Sequence, residues 1–279
     1  MYSVDVEELK QSIQIIILEF QPWIKAVSQI AWNPEQGVMP LIERAILRRQ
    51  FDCLDSIIYL VDGSRGYAAV PLLRAACEEL LWVKYLRTMK PEIAEELMTC
   101  LVKGELLDNL SAQDAYSGSS VMDDLGLSTY LQAEKKVSPK IASRLRAIGK
   151  KLGWDQRTLK KGTRPSTFYI AQQTNMVSMY NFLYHGTSRY VHFSSIELLR
   201  RTWGRSGNVT VDSSHFNDYW AIFSLHWGLS LFFDTFNEIE EALSQSEHLP
   251  NVDEEKIQQA AKRVGEFGQV PLITKEELL

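Results

Sequence analysis

The sequence predicts an all-α protein that folds as a single irregular multi-helix bundle. Apolar residues recur at steps of three and four through long stretches of the 279-residue chain, a spacing typical of amphipathic helices. These stretches follow one another without alternating strand patterns, and residues 208–212 are the only strand-like fragment. Such a succession of helices indicates an all-α fold. We expect one helical domain over residues 1–268 and a loose C-terminal tail over 269–279.

The first half of the chain predicts helices separated by turns rich in Pro, Gly and Asp. The first two are expected at 4–32 and 41–61, the third has Pro71 in its first turn, and the fourth begins at Pro91. A Ser- and Gly-rich loop is expected within residues 111–123. Ser138 and Pro139 then predict the start of a basic helix, because Ser is a good N-cap and Pro fits the first turn. This helix and the loop after it form a basic subregion over 135–166.

Residues 176–195 are predicted as the helix on which a site is built. One apolar stripe is available for burial, and it consists of Met176, Met179, Leu183, Tyr190 and Phe193. Another stripe carries Ser, Asn and His where a solvated face would carry Lys and Glu, which suits a hydrogen-bonded interior or a cleft wall. Beyond it the sequence predicts a basic turn at 200–207, a long apolar helix over 215–243 and a short amphipathic helix over 254–267.

Composition limits the class of protein. A hydrophobic content of 45% with 23% charged residues is ordinary for a soluble globular chain. Three widely spaced cysteines favour reduced, buried thiols in a cytoplasmic protein over disulfides or a zinc site. The longest apolar run, residues 219–233, has fifteen residues, whereas a membrane span needs about twenty. We therefore expect no membrane contact, and we place residues 219–236 either in the core or in a homo- or hetero-oligomer interface.

Arg74 and Glu78 are the first candidates for a functional pair. They are one helical turn apart, so their side chains can meet on one face, next to apolar neighbours. A structural ion pair that orients this helix is one interpretation, and its loss would cost on the order of 3–5 kcal/mol. The other has Glu78 as a base or Arg74 as an anion contact, facing the helix at 176–195.

His185 and His192 are the candidates for acid–base chemistry. Two helical turns place them about 10.5 Å apart along the axis, too far to chelate one metal as an i, i+4 pair does. No Cys or acidic cluster offers further ligands at a useful spacing, so we expect neither a metal nor a cofactor. His192 is the better general acid or base, because its pKa can lie near neutrality and Ser188 and Arg189 flank it.

The basic segment has an unusual charge. Between residues 135 and 164 there are eleven Lys or Arg and one acid, although the whole chain carries a net charge of −5. Such a surface suits phosphate backbones of RNA or DNA, and an acidic protein partner fits equally well. A merely solvated helix face is the third interpretation. The candidate nucleic-acid contacts are Lys140, Arg144, Lys150, Lys151, Arg157, Lys160, Lys161 and Arg164.

Two motifs together resemble a large family of uncharacterised helical proteins from bacteria and archaea. One is the Arg-x-x-x-Glu helix at 74–78, which continues to Tyr85, and the other is the Tyr…Ser-x-x-x-His pattern at 180–192. The resemblance implies a helical fold in which Arg74, Glu78, Tyr180 and His192 approach one another, and a role near mobile elements or in phage defence. The helical HEPN ribonucleases are less similar, because they have four to six residues between Arg and His, whereas Arg189 and His192 are separated by two.

The leading hypothesis is a prokaryotic defence or toxin-like protein that acts on or near nucleic acid, by metal-independent RNA cleavage if it is an enzyme. The predicted catalytic residues are Arg74, Glu78, His185, Arg189 and His192. The predicted substrate-binding residues are Tyr85, Tyr180, Asn181, Tyr184 and Ser188. Two alternatives stay open. One is a non-catalytic subunit with a structural polar core, and the other is a ligand-sensing pocket lined by Tyr180, Tyr184 and Trp82.

Overall fold

A computed structural model describes residues 5–29, 31–161, 164–205, 207–244, 250–268 and 270–275. Within these ranges the chain is mostly helical and has one small two-stranded sheet, which confirms the predicted all-α fold. The first seven helices are α1 Val6–Val27, α2 Met39–Asp62, α3 Gly66–Arg87, α4 Pro91–Ser117, α5 Ser119–Asp124, α6 Ser128–Lys151 and α7 Gln156–Lys161. The later elements are α8 Thr167–Gln173, α9 Val177–Met179, a π-helical turn Tyr180–His185, α10 Gly186–Val191, α11 Ser195–Leu199, β1 Thr202–Arg205, β2 Asn208–Val211, α12 Asn217–Ser244 and α13 Glu254–Glu266.

The chain forms two compact units. Unit 1 comprises residues 1–32, 41–84 and 171–279, and unit 2 comprises residues 33–40 and 85–170. The prediction of one domain over 1–268 stays a prediction. Within the ranges described above, none of the helices combines the length and the apolar character that crossing a membrane requires.

The core of unit 1 is built around α12. Every residue from 219 to 236 is buried or half-buried, and Phe20 of α1 lies edge-to-face against Phe232 and Phe236, at centroid distances of 5.2 and 5.0 Å. The prediction of a core helix is therefore confirmed. An oligomer interface formed by residues 219–236 is not supported, because these side chains already pack inside unit 1.

Helix α3 approaches α12 closely at its first residue. A Cβ on Gly66 would lie 2.5 Å from backbone atoms of Asn217 and Ala221, and the Gly66 N–H donates to Asn217 Oδ1 at 2.8 Å. A larger residue cannot fit here unless the two helices separate. This contact explains why α3 begins at Gly66, upstream of Pro71.

Two sequence predictions in unit 2 were wrong. Helix α4 runs to Ser117 and α5 begins at Ser119, so only Gly118 interrupts the helices where a loop was predicted within residues 111–123. Helix α6 begins at Ser128 and contains Pro139 in its interior. The reason is packing, since Leu131 forms a buried apolar cluster with Leu110 and Met122. Burial of this cluster holds the first turns of α6 in helical form upstream of the Ser138–Pro139 start signal.

The strand-like fragment at 208–212 pairs with part of the predicted basic turn. Strands β1 and β2 form an antiparallel hairpin in which Thr202 faces Val211 and Arg205 faces Asn208. The isolated fragment thus has a partner, although the hairpin remains small.

The predicted loose tail is anchored over residues 270–275. Val270 and Thr274 are buried, and Leu272 lies against Gly186, where a Cβ would approach Leu272 Cδ2 to 2.6 Å. Backbone carbonyls of this stretch accept hydrogen bonds from Trp227, at 3.1 Å, and from Tyr219. The tail prediction was wrong here because apolar side chains and carbonyl acceptors dock on unit 1; residues 269 and 276–279 lie outside the described ranges.

Candidate functional site

Arg74 of α3 joins two side chains of the focal segment, which we define as residues 176–195. Its Nε donates to Ser188 Oγ at 3.0 Å, and its Nη2 donates to the Tyr184 hydroxyl at 2.8 Å. The guanidinium carbon also lies 4.7 Å from the centroid of the Tyr184 ring, within cation–π range. All three residues are half-buried. We call this group the Arg74 cluster, and it unites three of the residues predicted for the site.

A π-helical turn gives the focal segment its local shape. Residues Tyr180–His185 form this turn between α9 and α10, so the predicted continuous helix over 176–195 was wrong. Two hydroxyls just beyond it bond to its carbonyls: Thr187 Oγ1 donates to Leu183 O at 2.6 Å, and Ser188 Oγ donates to Tyr184 O at 2.5 Å. Because Ser188 donates to a carbonyl while it accepts from Arg74, its hydroxyl orientation is fixed. π turns of this kind are frequent at functional sites.

Tyr180 extends the cluster along the focal segment. Its ring stacks on that of Tyr184, with centroids 5.0 Å apart and an interplanar angle of 21°. Burial raises the pKa of the Tyr180 phenol, the neighbouring Tyr184 adds to the rise, the Arg74 charge lowers it and the Glu78 charge raises it. Glu78 is half-buried on α3. The site therefore holds a cation and a carboxylate next to two stacked phenol rings.

The two histidines are exposed, which corrects the prediction of a buried polar site. His185 ends the π turn, and His192 follows α10 with an extended backbone of φ −106° and ψ 163°. Asn181 and Arg189 are exposed as well. The prediction failed because the π turn and the end of α10 at Val191 break the 3.6-residue period on which the polar stripe was based. The catalytic roles assigned to these residues stay predictions.

Tyr85 is the predicted substrate-binding residue that the structure most clearly corrects. It is 3% exposed, its hydroxyl accepts a hydrogen bond from Trp154 Nε1 at 2.8 Å, and its ring meets Tyr169 edge-to-face. Burial raises the pKa of this phenol to about 12. Tyr85 is thus a core residue of unit 2, with almost no surface for a substrate. Trp82, assigned to the alternative ligand pocket, is half-buried on α3.

The basic segment forms an exposed surface of unit 2. All eight residues predicted to contact nucleic acid are exposed, and we call them the basic surface: Lys140, Arg144, Lys150, Lys151, Arg157, Lys160, Lys161 and Arg164. Asp155, the one acid between residues 135 and 164, caps α7. Its Oδ1 accepts from the backbone N–H groups of Arg157 and Thr158 at 2.8 and 2.9 Å, and its Oδ2 accepts from the Thr158 hydroxyl at 2.7 Å.

Sequence reasoning missed a buried ion pair beside the focal segment. Arg200 Nη1 lies 2.8 Å from Glu197 Oε1, and the two side chains are only 7% and 5% exposed. The same guanidinium donates to the Tyr190 hydroxyl at 2.6 Å and to Leu272 O at 3.2 Å, and it lies 4.9 Å from the Trp220 ring. Glu197 and Arg200 have the i, i+3 spacing of a helical ion pair, which the sequence contains. The pair was not predicted because Arg200 was assigned to the basic turn at 200–207.

A second missed group surrounds Glu79, the neighbour of the predicted Glu78. Gln50 Nε2 donates to Ala76 O at 2.8 Å and to Glu79 Oε2 at 3.2 Å, and Arg49 lies 2.9 Å from the other carboxylate oxygen. Burial raises the pKa of the Glu79 carboxyl to about 7, although Arg49 and Gln50 act in the opposite direction. The group ties α2 to α3 inside unit 1.

The cysteines are free thiols, as expected. Burial raises the pKa of Cys53 and of Cys77 to about 12, which keeps both protonated and unreactive at neutral pH. Among the residues whose positions the structure describes, no group of three or more His, Cys, Asp or Glu side chains could hold a metal ion.

Comparison with known proteins identifies the family. A family model matches residues 42–209, a range that includes α3, the basic surface and the focal segment. The chain belongs to DUF5677, a family of unknown function. No curated protein and no solved structure matches the chain significantly.

Proposed function

We propose that this protein binds the phosphate backbone of nucleic acid through the basic surface of unit 2. The observation that carries the proposal is the exposure of all nine Lys and Arg side chains between residues 140 and 164, the eight of the basic surface together with Arg146. Asp155, the acid in this stretch, has both carboxylate oxygens engaged at the start of α7. The stretch therefore carries nine cationic side chains and one carboxylate.

The length of the basic surface suits a polyanion. Lys140 and Lys151 are eleven residues apart on α6, which corresponds to about 16 Å along the helix axis. Lysines bind phosphates as point charges and release condensed counterions, so such binding depends strongly on salt and little on base sequence. We expect the protein to bind single-stranded RNA and single-stranded DNA with similar affinity.

Nearby carboxylates neutralise the surface only slightly. Arg164 lies 3.9 Å from Glu105, with side chains that are 55% and 62% exposed, and Lys135 lies 3.8 Å from Asp114. Exposed pairs at such distances contribute at most about 1 kcal/mol, so a phosphate can replace them. An acidic protein partner would exploit the same charges, and competition with nucleic acid would reveal it.

Metal-independent RNA cleavage at the Arg74 cluster is the second candidate function. The guanidinium of Arg74 can stabilise a phosphorane-like anion, and exposed His185 and His192 on the focal segment can move protons. The observation that favours it is the contact of Arg74 with Tyr184 and Ser188. A role in prokaryotic defence stays a prediction from the resemblance described above.

The test is binding of labelled single-stranded RNA, single-stranded DNA and double-stranded DNA, followed by fluorescence anisotropy. The variant reverses four charges of the basic surface by the substitutions Lys150→Glu, Lys151→Glu, Lys160→Glu and Lys161→Glu. The control has the same change in net charge at exposed residues of unit 1, by the substitutions Lys25→Glu, Arg65→Glu, Lys262→Glu and Arg263→Glu.

Loss of binding in the first variant and its retention in the control would support the proposal. Equal loss of binding in both variants would mean that the net charge of the protein determines binding, and it would contradict binding by the basic surface of unit 2. For cleavage, the same RNA is incubated with wild type, with His192→Ala and with Arg74→Lys. Cleavage by wild type alone would support the second candidate, and uncut RNA in every sample would remove it.

A further inference from the structure

A groove of about 700 Å³ lies between α4 and α6 in unit 2. Its apolar walls include Leu101 of α4 together with Ile141 and Leu145 of α6. Leu131 in the first turn of α6 packs with Leu110 near the end of α4, whereas Leu145 further along α6 lines the groove with Leu101 of the first half of α4, so the two helices run antiparallel. The volume falls within the range of small-molecule sites, roughly 300–1,000 Å³. Neither the sequence predictions nor the family assignment explains this groove.

Gly104 in the middle of α4 keeps the groove open. A Cβ built on this residue meets no atom within 4 Å, and the residue lines the groove. Glycine inside a helix destabilises it by roughly 0.5–1 kcal/mol relative to alanine. No close helix contact requires glycine here, unlike at Gly66. The space above Gly104 is thus an unfilled part of the groove and not a packing contact.

The polar lining combines two kinds of hydrogen-bonding group. Lys161 and Arg164 provide cationic donors, and Asp108 and Asn109 of α4 provide acceptors and an amide. We propose that this groove binds a nucleotide whose base carries an exocyclic amino group. In this arrangement the cations take the phosphate, the carboxylate of Asp108 accepts from the amino group, and the apolar walls cover the base.

The carboxylates restrict which ligand fits. A phosphate that enters beside Glu105 must replace its contact with Arg164, which is 3.9 Å long. Asp108 repels a phosphate as well, so the anionic end of the ligand belongs with Lys161 and Arg164. A purely anionic ligand such as inorganic phosphate gains nothing from Asp108 or from the apolar walls. A ligand with amino donors at one end and phosphate at the other can bind both the Asp108 carboxylate and the cations Lys161 and Arg164.

The nucleotide can be free or part of a single strand, because both present the same chemistry. The proposal deepens the function proposed above, and it rests on that function only where the nucleotide belongs to a strand. Two of the residues, Lys161 and Arg164, also belong to the basic surface. An extruded base in the groove would give single strands a contact that a duplex lacks.

The experiment measures binding of CMP, UMP and inorganic phosphate to the full chain by calorimetry. CMP and UMP differ at C4, where cytosine has an amino group and uracil has an oxygen. Gly104→Leu fills the groove, and Val102→Leu is the control, because Val102 is an exposed residue of the same helix outside the groove lining. We expect wild type and Val102→Leu to bind CMP about tenfold more tightly than UMP, the value of one good base contact.

Gly104→Leu is expected to lose CMP binding while it keeps the binding of double-stranded DNA, which cannot place a base in the groove. No CMP binding by wild type, equal binding of CMP and phosphate, or equal binding of CMP and UMP would each overturn the proposal. Because duplex binding is measured on the same samples, failure of the groove and failure of the basic surface give different results. If Gly104→Leu still binds CMP more tightly than UMP, by the same ratio as wild type, the result would also contradict a nucleotide site in the groove.

Discussion

Removal of the Glu197 charge is expected to destabilise unit 1 strongly. The substitution Glu197→Gln keeps the shape of the side chain but leaves the Arg200 guanidinium without its carboxylate, 2.8 Å away. Arg200 keeps its bonds to the Tyr190 hydroxyl and to Leu272 O. Both side chains are more than nine-tenths buried, and water cannot replace the missing partner.

Breaking a buried pair of this kind costs about 3–5 kcal/mol, which is a large fraction of the roughly 5–15 kcal/mol that stabilises a folded protein. The matched control is Asp52→Asn, which removes the carboxylate that pairs with Arg48 at 2.8 Å. In that pair the side chains are 48% and 51% exposed. Its loss should cost at most about 1 kcal/mol, because exposed pairs contribute little.

The assay is unfolding by urea, followed by tryptophan fluorescence and by far-ultraviolet circular dichroism. We expect the midpoint of Glu197→Gln to fall well below that of Asp52→Asn, with a similar slope. If the free energies of unfolding of the two variants agree within about 1 kcal/mol, the Arg200 pair behaves as an exposed pair. The inference that this buried pair stabilises unit 1 strongly would then be refuted.

Three further predictions concern single residues. The pKa of Glu79 is raised to about 7, so above pH 4.5 the folded state binds more protons than the unfolded state. The free energy of unfolding should therefore fall by at most about 3 kcal/mol as the pH rises from about 4.5 to 7. Glu79→Gln should abolish this fall in a series of urea titrations at different pH values. Gly66→Ala should destabilise by about 1–3 kcal/mol through overpacking, whereas Gly104→Ala should stabilise by roughly 0.5–1 kcal/mol, as thermal unfolding would show. Tyr85→Phe should cost about 1–3 kcal/mol because the buried Trp154 N–H loses its acceptor, and unchanged stability would contradict that hydrogen bond.

The helical fold and part of the site could be predicted because they depend on local patterns. The apolar run at 219–233 predicted the core helix α12. For Arg74 the sequence predicts a position facing the focal segment and, from the resemblance, an approach to Tyr180 and His192. The structure places Arg74 against Tyr184 and Ser188 of that segment, two residues that were predicted to bind substrate.

The remaining features depend on tertiary packing or on small changes in helical period. A single π turn inside an α-helix is rare and changes the helical period, so the exposure of His185 and His192 could not be derived from an ideal period. Helix α6 begins upstream of the start signal at Ser138, because Leu131, seven residues before it, is buried in an apolar cluster. The groove beside Gly104 exists only because α4 packs on α6, and no spacing within either helix indicates it.

The most direct test of the central claim is the salt dependence of RNA binding. The affinity of wild type and of the variant with four reversed charges at residues 150, 151, 160 and 161 is measured between 50 and 300 mM salt, about the range in which phosphate contacts are resolved. Four lost contacts to a single strand should reduce the slope of log affinity against log salt by roughly 3. The account predicts this reduction for the variant and an unchanged slope for the unit 1 control; equal slopes in wild type and variant would contradict phosphate binding by the basic surface.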